Sequence, residues 1–142
     1  MSAQQIIMNF VPPSYDDLAM LAKVVIDDLP EELLNFYDEI MIEVEDIAED
    51  VLANELEVED PFEILVLFKS EKEITPGVEK KNGDNNGSLV IFRRAVLDVW
   101  CQDSEDLSIL MRQIIIEELS RLLDLSDDEI EEMIERHHQG LL

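Results

Sequence analysis

The chain has 142 residues, of which 46% are apolar, enough to bury one hydrophobic core of modest size. Its 35 acidic residues against 10 basic ones give a net charge of −25, so its surface repels nucleic acid and anionic membranes and attracts cations or basic partners. No stretch approaches 18 uncharged apolar residues, which excludes a membrane-spanning helix.

Two interpretations of this charge stay open. An acidic surface keeps a domain soluble whatever its function, or it serves to recognise a basic partner.

The first residues lack the basic segment of a signal peptide, and the single cysteine, Cys101, excludes an internal disulfide and is expected as a packed thiol. We therefore expect one domain over residues 1–142, in the reducing cytoplasm.

The first half of the sequence predicts two helices and a strand. Apolar residues recur at helical spacing after Ser14, a favoured N-cap residue, and Pro30 opens a short helix or turn. Apolar and acidic residues then alternate over positions 39–46, the period of two that is typical of a half-buried strand. Residues 46–60 are acidic and weakly amphipathic, which favours a short helix or a loop.

Two further strands are predicted on either side of a polar loop. Residues 62–70 are apolar enough for a strand buried on both faces. Residues 71–88 are rich in glycine, asparagine and aspartate, and we expect a mobile loop. Residues 88–100 predict the third strand, which runs on through Arg93 and Arg94 with their side chains on opposite faces.

The C-terminal part predicts two helices. Ser104 opens a long helix that extends to Asp124, and Ser126 caps a final helix that stops at Gly140. Together the elements predict an α+β fold, in which a small mixed sheet of three to four strands packs on a long buried helix.

The polar side chains of the long helix form the first candidate site. Apolar residues cover most of its circumference, which predicts burial inside the domain. A narrow polar strip holds Gln113, Glu117, Ser120, Arg121 and Asp124. Glu118 lies outside this strip, so its carboxylate either occupies a partly exposed edge or must be paired, metal-bound or protonated.

Basic residues offer partners for these carboxylates. Glu117 and Arg121 are four residues apart, which predicts an ion pair on one face of the helix. Arg93 or Arg94 of the third strand is a second candidate partner for Glu117 or Glu118, from inside the domain. Either arrangement would satisfy a carboxylate without a metal ion.

Three segments resemble the minimal zincin-like proteins, small bacterial domains described as zinc metallopeptidases. "LVIFRRAVL" resembles the family's strand that ends in an aromatic residue and two arginines, and "IIIEELSRLLDLSD" has the spacing of its helical motif V-x-H-E-x-x-H-x-x-G-x-x-D. "EILVLFKS" resembles an earlier strand of the family. The resemblance implies a minimal zincin fold over roughly residues 14–130, with zinc held by two histidines.

The ligand positions of this motif are changed. Its first histidine falls on Glu117, its second on Arg121 and its glycine on Asp124, whereas the catalytic glutamate is kept as Glu118 and the third-ligand aspartate as Asp127. Zincins need two neutral imidazoles to hold zinc, which lowers the pKa of a bound water whose proton the glutamate takes. Arginine stays protonated and does not ligate metals. The family implies zinc, but these residues predict no metal and no other cofactor.

These substitutions favour a pseudo-peptidase that keeps the scaffold and binds a peptide or protein beside the third strand, with Glu118 as a vestigial base. The degenerate binding site comprises Arg93, Arg94, Glu117, Arg121, Asp124 and Asp127. The first alternative is an acidic interaction protein that binds basic partners, and the second is a metallopeptidase with altered metal ligands. No nucleic acid or membrane partner is expected.

Two other features are weaker candidates for a site. His137 and His138 are adjacent near the end of the final helix, so their side chains diverge by about 100° and do not easily share one metal ion. An acidic cluster is formed by Asp124, Asp127, Asp128 and Glu131. It lacks the alternation and glycine of a calcium loop, which favours a solvated face.

Overall fold

The computed structural model describes residues 12–70, 85–103 and 106–140. Its helices are α1 (Tyr15–Asp27), α2 (Glu31–Phe36), α3 (Asp50–Glu55), α4 (Arg93–Asp103), α5 (Leu107–Ser120) and α6 (Asp127–Gly140). Its strands are β1 (Tyr37–Glu45), β2 (Val66–Ser70) and β3 (Asn85–Phe92), and 3-10 turns lie at Pro61–Glu63 and Arg121–Leu123. None of the helices in these ranges has the length and apolar character needed to cross a bilayer.

The sheet confirms the predicted α+β class and its mixed character. Its order within the described residues is β1-β3-β2, with β1 parallel and β2 antiparallel to the central strand. Leu89, Val90 and Ile91 of β3 are fully buried because helices or loops cover both faces of the sheet. In the part of the chain that the structure describes, the sheet therefore has three strands, and β1 and β2 are its outer strands.

The long helix α5 forms the centre of the main core, as predicted. Met111, Ile115, Ile116 and Leu119 are fully buried against α1, α6 and the sheet. Ser120 is also buried, so the prediction that it lies on an exposed polar strip is wrong. The helix buries one more polar residue that the sequence analysis did not single out, Arg112, whose Nη2 donates to the Met133 carbonyl at 3.2 Å.

Several predicted helix starts are confirmed. Ser14 and Asp17 form a reciprocal capping box at the start of α1, and the Ser126 hydroxyl accepts the Glu129 N–H at 3.2 Å in α6. The turn after Pro30 is the helix α2. The predicted opening at Ser104 lies outside the described residues, and Asp106 caps α5 by accepting the Ser108 N–H at 2.8 Å.

The third strand is shorter than predicted. It ends at Phe92, and Arg93 begins α4. The reason is the length of its neighbours: β1 ends opposite Phe92, so a longer strand would have no partner there. The Arg94 N–H instead donates to the Asp46 carbonyl at 2.9 Å, which turns the chain into a helix. Cys101 consequently lies on α4 and is exposed, which corrects the prediction of a packed thiol.

The two ends of the predicted polar loop also need correction. β2 begins at Val66 and its last two residues are exposed, so it is not buried on both faces. Residues 71–84 lie outside the described residues, but Asn85 to Ser88 belong to β3. A Cβ at Gly87 would lie 2.3 Å from the Lys69 carbonyl oxygen, so this glycine permits close strand pairing rather than a loop.

Candidate functional site

The C-terminal end of α5 carries the degenerate motif and determines where its side chains point. The α-helix stops at Ser120, four residues earlier than predicted, and continues as the 3-10 turn. Asp124 follows with φ 55° and ψ 42°, in the left-handed region that favours glycine. Asp124 occupies the motif's glycine position, and its backbone adopts a conformation that glycine reaches without strain. The turn leads directly to α6, which begins at Asp127.

Glu118 is half-buried, and two residues, Phe68 and Arg121, donate hydrogen bonds to its carboxylate. Its Oε2 accepts the backbone N–H of Phe68 in β2 at 2.8 Å and the Nη2 of Arg121 at 2.8 Å. The Nε of Arg121 donates to Oε1 at 3.2 Å, so both oxygens of the carboxylate have partners. The side chain of Glu118 is 13% exposed, and these bonds offset the cost of removing its charge from water.

The predicted ion pair between Glu117 and Arg121 is wrong. Arg121 pairs with Glu118 instead, and this hydrogen-bonded contact raises the pKa of its guanidinium. Glu117 is exposed and accepts a 3.2 Å hydrogen bond from the Nε2 of Gln113. The half-buried carboxylate of Glu118 attracts the Arg121 guanidinium more strongly than the exposed carboxylate of Glu117 does, because less water surrounds Glu118 to screen its charge.

The Phe68 N–H that Glu118 accepts belongs to the free edge of β2, meaning the edge with which no strand of the described residues pairs. The Phe92 N–H of β3 donates to the Leu65 carbonyl at 2.8 Å. From Leu65 onwards, every second residue of this segment directs its backbone N–H and C=O towards β3. The backbone groups of Val66, Phe68 and Ser70 therefore face away from β3. The Glu118 carboxylate accepts the middle one of these three outward N–H groups, that of Phe68, and so connects α5 to β2.

Tyr37 completes the buried side of the site and was missed by the sequence analysis. Its hydroxyl donates to the Leu119 carbonyl at 2.5 Å, which satisfies one of the last four carbonyls of α5. Its ring packs edge-on against Phe68, with centroids 5.0 Å apart. Burial raises the pKa of the Tyr37 phenol, and the nearby charge of Glu118 raises it further. Only its position at the boundary of α2 and β1 hinted at such a role.

Arg93 and Arg94 do not reach the carboxylates of α5, contrary to the prediction. The Nε of Arg93 donates to the Pro13 carbonyl at 2.7 Å, and its guanidinium lies 5.6 Å from the centre of the Tyr15 ring. The Nε of Arg94 pairs with Asp46 at 3.0 Å. Both arginines are placed elsewhere because α4 begins at Arg93, so their side chains follow a helix rather than the sheet.

The motif's three metal-ligand positions line one groove between α5 and α6. Glu117 and Arg121 form part of one wall and Asp127 part of the other, around a volume of about 710 Å³. These residues do not fit zinc, because a guanidinium already paired with Glu118 occupies the second ligand position. Across residues 12–70, 85–103 and 106–136, no group of three or more His, Cys, Asp and Glu side chains is arranged to hold a metal ion.

The four residues of the acidic cluster, Asp124, Asp127, Asp128 and Glu131, are all exposed, as the favoured interpretation of a solvated face predicts, and they do not all line one depression. Asp127 and Glu131 line the α5–α6 groove, whereas Asp128 lines a separate depression beside Glu32. Alternate faces of α6 therefore carry these carboxylates to different surfaces. The side chains of His137 and His138 lie outside the described part of the chain.

The comparison with known families agrees with this geometry. A family model described as zincin-like metallopeptidase matches residues 37–137, from the first residue of β1 into the last turns of α6. No curated protein sequence matches the chain. The match covers the edge strand, the degenerate motif and the left-handed turn, and it confirms the resemblance that the motif spacing indicated.

Proposed function

Because the chain belongs to the zincin-like metallopeptidase family, we propose that it keeps the family's scaffold, lacks its hydrolytic chemistry and binds a peptide or protein segment. The observation that carries this proposal is the environment of Glu118. The residue at the catalytic-base position has both carboxylate oxygens engaged, by Arg121 and by the backbone of β2. Its partner at the second metal-ligand position is a cation.

The loss of hydrolysis follows from charge and ligand chemistry. A general base must be free to accept a proton from water, and both carboxylate oxygens of Glu118 already accept hydrogen bonds from Arg121 and from the backbone of β2. The neutral imidazole that a zinc site needs is replaced at Arg121 by a group that stays protonated. Glu117 alone is an exposed carboxylate, a poor zinc ligand without imidazole neighbours.

The binding role rests on the free edge of β2. The expected position of a ligand, beside the third strand, is wrong, because that strand is central and pairs on both sides. An added peptide strand would instead pair with the outward groups of Val66 and Ser70 and take the Phe68 N–H from Glu118. Glu118 would keep its pair with Arg121, so the exchange leaves no carboxylate without a partner.

Metal binding tests the loss of hydrolysis. The untagged protein is dialysed against Zn²⁺, freed of excess metal, and measured for bound zinc and for cleavage of a denatured protein substrate. We expect neither zinc at one equivalent nor chelator-sensitive cleavage. The control is Glu117→His/Arg121→His, which restores two imidazoles four residues apart and should bind zinc. Stoichiometric zinc in the original protein, lost in Asp127→Ala, would establish a metallopeptidase with altered ligands instead.

A backbone variant tests the peptide-binding edge. Val66→Pro removes an outward N–H and leaves the pairing with β3 intact, whereas the matched Val44→Pro acts on the opposite edge strand. An array of immobilised hexapeptides serves as the probe. We expect peptides that bind the original protein to be lost with Val66→Pro, retained with Val44→Pro and largely insensitive to salt. Equal retention by both variants would contradict an edge-strand mode.

We also propose a reducing cytoplasmic location. The support is the single cysteine, which is exposed on α4 and would form intermolecular disulfides in an oxidising compartment. Fractionation of native cells with an antibody to the protein tests this. We expect the signal with cytoplasmic markers, and recovery as a disulfide-linked species from an oxidising compartment would contradict it.

A further inference from the structure

The groove between α5 and α6 has a lining that the edge-strand function does not use. Its apolar floor comes from Ile130 and Ile134 of α6, both half-buried. Its rim carries four carboxylates, from Glu117, Asp127, Glu131 and Glu135. We propose that this groove is a docking site for a basic amphipathic helix of a partner protein, a function that goes beyond peptide capture at β2.

The dimensions of the groove suit a helix. Gln113, Glu117 and Arg121 form a row spaced by four residues on one wall, and Asp127, Glu131 and Glu135 form the matching row on the other. Each row spans about 12 Å along its helix axis. The groove has a volume of about 710 Å³, so a helix about 10 Å in diameter would rest in it with part of its circumference exposed.

The charges of the groove specify a basic occupant. Asp127, Glu131 and Glu135 are exposed and form no ion pair with any residue that the structure describes. The one cation of the lining, Arg121, already neutralises Glu118 outside the groove. The groove therefore presents an uncompensated row of negative charge above an apolar floor. Lysine or arginine beside leucine-like residues would complement both features, whereas a second copy of this chain, at −25, would be repelled.

The walls also decide between a helical and an extended occupant. Both walls are helices, whose backbone groups are satisfied internally away from their ends. Apart from its end at Arg121 and Asp127, where α5 has stopped and α6 begins, the groove accordingly offers side chains and no row of free backbone donors and acceptors. An extended peptide would leave its own backbone groups without partners along the floor, and a helix would not.

A designed peptide pair tests this proposal. One fluorescein-labelled peptide of about four turns carries leucine at i, i+3, i+4 and i+7 with lysine elsewhere, and its isomer alternates leucine and lysine. Binding to the full chain is followed by fluorescence anisotropy at about 150 mM salt, where long-range charge effects are screened. The variants are Glu131→Lys/Glu135→Lys in the groove and Glu43→Lys/Glu45→Lys on the exposed face of β1. Both change the net charge equally.

We expect the helical peptide to bind at least about tenfold more tightly than its isomer, and the groove variant to weaken it about tenfold. The β1 variant should change the affinity less than about twofold, and Val66→Pro should leave it unchanged. Equal weakening by the two charge reversals, or equal affinity of the two peptides, would overturn the proposal and indicate attraction by net charge alone. Thermal melts of each variant confirm folding, and the β2-edge function stands or falls separately, on the hexapeptide array.

Discussion

Glu117 and Glu118 follow one another on α5, but their side chains leave the helix about 100° apart and enter different surroundings. Glu118 turns towards the sheet, where it holds an edge strand and a guanidinium and is mostly excluded from water. Glu117 turns towards the α5–α6 groove, where it is exposed and accepts one bond from Gln113. Of these two chemically identical side chains, Glu118 therefore connects α5 to β2, and Glu117 is a surface charge.

The comparison shows how a zincin scaffold accommodates the loss of its histidines. Arg121, a cation, stands at the motif's second ligand position, and Glu118 is its ion-pair partner. The catalytic-base position then becomes part of the packing between helix and sheet. The first ligand position needs no such compensation, because Glu117 faces solvent and its charge stays hydrated.

The largest expected effect separates the two glutamates directly. Glu118→Ala leaves the Phe68 N–H and the Arg121 guanidinium without their acceptor, and should lower the free energy of unfolding by about 2–3 kcal/mol. Glu117→Ala removes an exposed side chain and should change it by less than about 0.5 kcal/mol. Urea unfolding monitored by circular dichroism measures both. Equal losses would mean that the tie to β2 contributes nothing to stability.

A second prediction concerns the buried phenol on the same side. Tyr37→Phe leaves the Leu119 carbonyl without its donor and should cost about 1–2 kcal/mol near neutral pH. Because burial raises the pKa of Tyr37, its contribution is complete below the ordinary tyrosine pKa of about 10 and is lost as the pH rises above it. Urea unfolding at neutral and strongly alkaline pH should therefore show the two proteins converging. A difference that stayed constant would contradict the raised pKa.

Much of this arrangement was predictable from the sequence, for definite reasons. The core of α5 and the caps at Ser14 and Ser126 depend on local patterns, and these were confirmed. The family followed from motif spacing, which survives the loss of the histidines. The helix pattern left two alternatives for Glu118, a partly exposed edge or a paired carboxylate, and the structure shows a half-buried carboxylate paired with Arg121.

What the sequence did not predict depends on non-local geometry. The partner of Glu118 includes a backbone N–H fifty positions away, and no side-chain pattern marks which edge N–H is free. Arg121 has carboxylates at both three and four residues before it, and only their difference in burial favours Glu118. The strand ended at Phe92 because its neighbours end there, which hydrophobic patterning around Arg93 and Arg94 does not reveal.

The third prediction concerns the turn that joins the two sides of the site. Asp124 adopts a left-handed conformation that costs a non-glycine residue about 1 kcal/mol, so Asp124→Gly should stabilise the protein by up to that amount. Asp128→Gly is the matched control: it lies within α6 and should destabilise instead. Thermal unfolding of both variants measures the shift. Destabilisation by Asp124→Gly would show that its side chain matters more than its backbone.

The smallest expected effect concerns the groove, where charge is unfavourable for stability. Glu131 lies four residues from both Asp127 and Glu135 on α6, and like charges at this spacing repel. Glu131→Gln should therefore raise the free energy of unfolding by about 0.5 kcal/mol at low salt, and the gain should vanish at high salt. Glu132→Gln is the control, because Glu132 pairs with Arg136 and its loss should lower stability.

The same variant links stability to the proposed docking site. A basic helical peptide that binds the folded groove stabilises the original protein by mass action, and it binds Glu131→Gln less well. The order of thermal midpoints should therefore reverse when the helical lysine–leucine peptide is added in excess. The contrary result is that Glu131→Gln stays the more stable protein at saturating peptide. In that case the peptide does not offset the charge repulsion in the groove, and the acidic row of the groove serves solubility alone.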